Sequence, residues 1–104
     1  MNQLKNGFVH TVFFWLKDQT EDSKASLHAG LSKLASIDLI SQAYIGQPAG
    51  TNREVIDSSY DFSITFIFDD KSKQDIYQDH PDHLVFVDTC AHLWKQVQVY
   101  DAVS

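Results

Sequence analysis

Residues 60–68 read YDFSITFIF, with Tyr60, Phe62, Ile64, Phe66 and Phe68 at every even position. Asp61, Ser63, Thr65 and Ile67 fall between them. A period of two matches the alternation of side chains along a strand, not the 3.6-residue repeat of a helix. So apolar a face requires a roof, and this requirement constrains the fold more than any other feature of the chain. Phe8–Leu16 obeys the same rule less cleanly. Its even positions are Phe8, His10, Val12, Phe14 and Leu16, while Val9, Thr11, Phe13 and Trp15 form a bulky opposite face.

Helices supply the roof. Thr20 is a cap for a helix whose first turn holds Glu21 and Asp22, and Leu27, Leu31, Leu34 and Ala35 follow at helical spacing. SQAYIGQ predicts a weak strand. The stretch from Pro48 to Ser59, punctuated by Pro, Gly and Asn, predicts a loop or ragged hairpin connection. Asp69 or Asp70 caps a short polar helix to about Asp79. Pro81 disfavours helical geometry at His80 but suits the first turn of a new helix. From there His83, Phe86, Val87, Cys90 and Trp94 form one stripe, with His92 opposite. KQVQVYD predicts a last strand. The order β-α-β-β-α-α-β predicts an α+β domain over residues 1–104, with a four-stranded antiparallel sheet and helices on one face. Phe13, Trp15 and Ile67 on the other face call for a partner, most simply a second copy.

Composition narrows the partners. The 104 residues carry a net charge of −6 and no cluster of Lys or Arg, which argues against nucleic acid. The N-terminal apolar run faintly resembles a secretion signal. It is interrupted by His10 and Thr11, and it is too short to span a membrane. A single cysteine, Cys90, cannot form an internal disulfide and suits a reducing cytoplasm.

The chemistry centres on IYQDHPDHLVF, residues 76–86. His80 and His83, with Asp79 and Asp82, offer metal-ligand atom types. The proline bend breaks their common face and no distant Cys or His completes a set, so no metal is expected. His83 and His10 lie on apolar faces that should pack together. A neutral imidazole beside the Tyr77 phenol is suited to removing a proton next to a carbonyl, with the phenol steadying the oxyanion. The plainer reading is a pair of core histidines satisfied by backbone or water. Cys90 on the buried stripe reads as an inert small hydrophobe, and His28 flanks the first helix near the same region. No Gly-rich phosphate loop or dinucleotide fingerprint is present, and no cofactor is required.

Three stretches, FVHTVFFWLKD, SYDFSITFIFDD and IYQDHPDHLVFVDTCAHLWKQVQVYD, together resemble the stress-responsive A/B barrel family, a branch of the dimeric α+β barrel superfamily. The His-Pro-x-His element, followed by a Trp and a strand ending in Asp, is their most specific part. The resemblance spans nearly the whole chain. It implies a ferredoxin-like fold whose sheets pair face to face as a homodimer, and many members are known only as stress-induced or uncharacterised proteins. A plant polyketide cyclase of this fold performs an aldol condensation between helices and sheet. The resemblance implies that its acid/base positions fall on Tyr77 and His83, with His10 as a further pocket histidine. Another pocket histidine of the cyclase corresponds to Phe62, and a smaller residue after the tyrosine to Gln78.

The expected reading is a small-molecule pocket lined by Val12, Phe14, Leu27, Leu31, Ile64, Phe66, Phe86, Trp94, Val97 and Val99. His10, Tyr77 and His83 would be its polar groups. A cavity of roughly 300 Å³ or more would favour ligand chemistry. A filled core would favour a non-catalytic stress-associated oligomer. Cofactor-free oxygenase chemistry rests on fold analogy alone.

Overall fold

The computed structural model describes residues 3–104; Met1 and Asn2, part of the signal-like start, lie outside the described residues. The elements in order are β1 (Phe8–Leu16), α1 (Glu21–Leu34), β2 (Gln42–Gly46), β3 (Phe62–Phe68), α2 (Lys71–Gln78), α3 (Pro81–Cys90), a 3₁₀ turn (Ala91–Leu93) and β4 (Trp94–Val103). The strands form one antiparallel sheet in the order β2-β3-β1-β4. The helices cover one side of it, and the molecule is a slab 17 Å thick across its backbone. No helix among the described residues is long and apolar enough to cross a membrane.

The period-two reading of β1 and β3 matches their burial, since every even position of both strands is buried and every odd one half-buried. Thr20 caps α1 by accepting from the Ser23 N–H, and Asp70 caps α2 by accepting from the Lys73 N–H. Leu27, Leu31 and Leu34 form the buried stripe of α1. Pro81 opens α3, and His80 caps it through Nδ1, which accepts from the Asp82 N–H at 3.0 Å. That bond explains the His80 half of the His-Pro-x-His pattern: the imidazole satisfies one of the orphan amides at a helix start.

Three local expectations require correction. The strand expected from Tyr60 begins at Phe62, because the chain bends at Asp61. The Asp61 carboxylate instead accepts from the Leu16 N–H at 2.8 Å and from Gln19 Nε2 at 3.1 Å, tying off the end of β1. The bend also turns Tyr60 onto the opposite sheet face, where its ring meets Phe13. Trp94, expected on the helical stripe, lies beyond the end of α3 and opens β4 opposite Leu16. Its ring still reaches the same apolar region, 5.1 Å from Phe14 and 5.7 Å from Phe86. Val87, on the same stripe, is exposed, because the helical layer stops short of β4.

Gly30 marks where α1 and α3 pack most closely. A Cβ there would sit 2.6 Å from Cys90 Sγ and 3.3 Å from Phe86. Gly30→Ala gains about 1 kcal/mol in helix propensity but incurs overpacking of roughly 1–3 kcal/mol. Net destabilisation is expected in urea melts, and it should shrink in a Cys90→Ala background because the sulfur is the colliding atom.

Candidate functional site

The helical layer leaves a cleft of about 190 Å³ between α3 and the β1–β4 side of the sheet. Its floor is Val12, Phe14 and Ile64 on the central strands, with Val97 and Val99 on β4. Phe86, Trp94, Val87 and Leu34 wall it. Val97 and Val99 remain 42% and 43% exposed, so the cleft opens along the β4 edge. Its volume is below the roughly 300 Å³ that would favour ligand chemistry, and it suits only a compact ligand.

Seven of the ten apolar residues expected to line a pocket border this cleft: Val12, Phe14, Ile64, Phe86, Trp94, Val97 and Val99. Leu27, Leu31 and Phe66 do not. They are wholly buried in the core, Leu27 and Leu31 on α1 and Phe66 against the Tyr77 ring of α2. Sequence periodicity identifies a buried face but cannot distinguish a filled part of it from a hollow one.

The polar groups gather at one end. Tyr77, on the last turn of α2, is 1% exposed, and its ring packs against Phe66, Phe68 and His10. The His80–Pro81 bend then brings His83, on the first turn of α3, back onto it, with ring centroids 4.7 Å apart. His10 projects from β1 with its ring 5.9 Å from Tyr77. His28 takes no part, since it packs on Phe62 at the other side of the helical layer.

Hydrogen bonds define which ring nitrogen of each histidine is already engaged. The Gln78 carbonyl can only accept, so His83 Nδ1, 3.1 Å away, carries the proton. In the neutral ring this leaves the Nε2 lone pair free. Burial favours that neutral form and lowers the His83 pKa below the usual histidine value; nearby His10 and His80 add to the effect, while Gln78 and Asp79 oppose it. Burial also pushes the Tyr77 phenol far above its ordinary range, so it stays protonated and able to donate. Among the described residues its hydroxyl has no protein partner, and it is not a sealed-off orphan. His10 Nδ1 donates to Asp101 Oδ1 at 2.6 Å, a short, carboxylate-assisted bond.

Asp101 and Gln78 entered the sequence reading only through the family resemblance, as the end of the last strand and as the residue after the tyrosine, and neither was given a hydrogen-bonding role there. A signal for Asp101 existed, because it shares parity with Val97 and Val99 and so extends the same face of β4. Register then sets it directly opposite His10. Gln78 acts through its main-chain oxygen, which no side-chain pattern reveals. Among the described residues no three His, Cys, Asp or Glu side chains cluster as a metal site would need.

Comparison with solved structures returns the same architecture. A dimeric ferredoxin-like protein of unknown function from Thermobifida fusca superposes with a TM-score of 0.77 at 25% identity, covering 96% of this chain and 92% of that one. A Dabb family protein with a ferredoxin-like fold from Mesorhizobium loti gives 0.75 at 26% identity, covering 94% and 96%. The hydroxynitrile lyase of Passiflora edulis gives 0.81 over 97% and 95% at 14% identity, a likeness of fold alone. No curated protein matches the sequence. The profile of the stress-responsive A/B barrel domain matches residues 8–104, essentially every residue from the first strand to the last. The chain therefore belongs to the stress-responsive A/B barrel domain (Dabb) family.

Proposed function

We propose that residues 1–104 form one domain that pairs as a homodimer, and that its helix-side cleft binds a small, largely apolar carbonyl compound and moves a proton on it. The observation that carries this reading is the packing of the Tyr77 ring on a His83 ring whose Nδ1 is engaged by the Gln78 carbonyl, both lining an apolar cleft, with no protein partner for the Tyr77 hydroxyl among the described residues. The ligand's carbonyl oxygen accepts from Tyr77. His83 Nε2 removes the proton from the adjacent carbon, and the enolate oxygen is held by the phenol. In a cyclase-type reaction the enolate carbon attacks a second carbonyl of the same molecule, and His83 returns its proton to the new alkoxide. His10, oriented by Asp101, presents Nε2 as a further polar contact. No metal or organic cofactor enters these steps.

Deuterium exchange at the α-carbon of compact aryl and alkyl ketones, followed by NMR, tests the reading directly. Catalysis should require neutral His83, so the rate is expected to rise with pH and level off, with its midpoint below about 6.5. A flat profile through that range would remove His83 as the base. Tyr77 should impose no falling limb below pH 10, because burial raises its pKa.

The modest cleft volume favours a second reading, a non-catalytic stress-response protein valued as a stable oligomer. Absence of exchange with every ketone tried would select it. A reducing cytoplasm suits either role, since the sole cysteine, Cys90, is buried and free.

The dimer reading rests on the sheet face that the helices leave open, with Phe13, Trp15 and Ile67 half-buried on it. The Thermobifida fusca relative is described as dimeric. Ile67→Glu would set a charge in that contact, and sedimentation is expected to show monomers. A persistent dimer would move the interface elsewhere.

A further inference from the structure

The helical layer carries a second cavity, a groove of about 290 Å³ between α1 and α3. Asp82, Val85 and Thr89 line it at i, i+3 and i+7, one face of α3. Gly30, Lys33 and Leu34 line it from α1. Lys33, Asp82, Val85 and Thr89 are exposed, while Leu34 and Phe86 are buried at its base and also border the cleft. The groove belongs to the helices, and the sheet face proposed for the dimer contact lies on the other side of the slab, so pairing leaves it open.

Its two walls carry opposite charges that the protein leaves unused. Among the described residues, neither the Lys33 ammonium nor the Asp82 carboxylate forms a salt bridge, with each other or with any other side chain. Opposite charges that line one groove without touching leave a gap between them for a ligand. Thr89 Oγ1 donates its proton to the Val85 carbonyl at 2.8 Å, so toward the groove it can only accept.

We propose that this groove binds a free α-amino acid with a branched aliphatic side chain. Its carboxylate pairs with Lys33, its ammonium with Asp82 and Thr89, and its side chain rests on Val85, Leu34 and Phe86. A zwitterion satisfies both walls at once. A simple anion or cation would satisfy one wall and meet like charge on the other. Gly30 adds no side chain to the α1 wall, which leaves room for that of the ligand. The volume lies at the lower edge of the range for small-molecule sites, enough for one amino acid and not for a peptide.

The probes are L-leucine, 4-methylpentanoate, which lacks its amine, and 3-methylbutan-1-amine, which lacks its carboxylate. Binding is followed through the Val85 and Thr89 methyl resonances at physiological ionic strength. Leucine is expected to bind about fivefold more tightly than either half-molecule, because each exposed charge pair contributes modestly. Lys33→Met should weaken leucine about threefold and leave the amine unaffected. Asp82→Asn should weaken leucine by a similar factor and leave 4-methylpentanoate unaffected. Both positions are exposed, so melting temperatures should stay near that of the parent protein. Equal affinity for the three probes would overturn the proposal, as would leucine binding that ignores both substitutions. Leucine-induced shifts confined to Val97 and Val99 would place the amino acid in the cleft and overturn it as well. No response to leucine at high millimolar concentration would do the same.

Discussion

His83→Ala is expected to lower α-proton exchange by at least about 100-fold, the lower end of the range for loss of a positioned general base. The fold should survive the change. His83 is half-buried and makes one hydrogen bond, to the Gln78 carbonyl, worth about 1 kcal/mol. Melting temperature and dimer content should therefore stay near those of the parent protein. Tyr77→Phe gives a complementary loss of roughly 100-fold or more by removing an oxyanion donor while keeping the ring that packs on Phe68. Exchange that survives His83→Ala would transfer the base to another group, with His10 and its Asp101 partner next in line.

Phe66→Ala should have the largest effect on stability. Phe66 occupies the middle of β3, pairs in register with His10 and Ala43, and presents its ring to Tyr77 at 6.1 Å and 90°. It is fully buried. Truncation removes most of an aromatic side chain from a packed core and should cost roughly 3–5 kcal/mol. A small domain's total stability is only about 5–15 kcal/mol, so much of the fold would be lost at physiological temperature. Urea denaturation measures the cost. A loss below about 1 kcal/mol would mean that Phe66 borders open space, as the sequence reading expected, rather than solid core. Trp94→Ala, at the half-exposed rim of the cleft, should cost less and widen the ligand space.

The Phe66 prediction turns on a distinction that alternation does not make. Ile64 and Phe66 both point toward the helices, yet one borders the cleft and the other is sealed beneath the helical layer. The difference comes from where the helices sit over the sheet: Tyr77 of α2 packs on Phe66, while Val97 and Val99 of β4 stay exposed beside the cleft. Asp101 teaches the same lesson from the other side. Its parity was readable, but its pairing with His10 depends on the register between the first and last strands, far apart in sequence. Tyr60 fails for a tertiary reason too, since hydrogen bonds from the distant Leu16 and Gln19 to the Asp61 carboxylate end the alternation one residue before Phe62.

Local chemistry alone determined the elements and their inward faces: strand periodicity in β1 and β3, Thr20 and Asp70 as caps, and Pro81 as the break between α2 and α3. Each of these depends on interactions within a few residues, which a linear pattern records. Tertiary structure alone decided that Tyr77, His83 and His10 border one cleft, with Asp101 bonded to His10, and that Leu27, Leu31 and Phe66 do not reach it. Hollow space and polar convergence are properties of how whole elements pack. They depend on interhelical distance and strand register, which no single segment encodes.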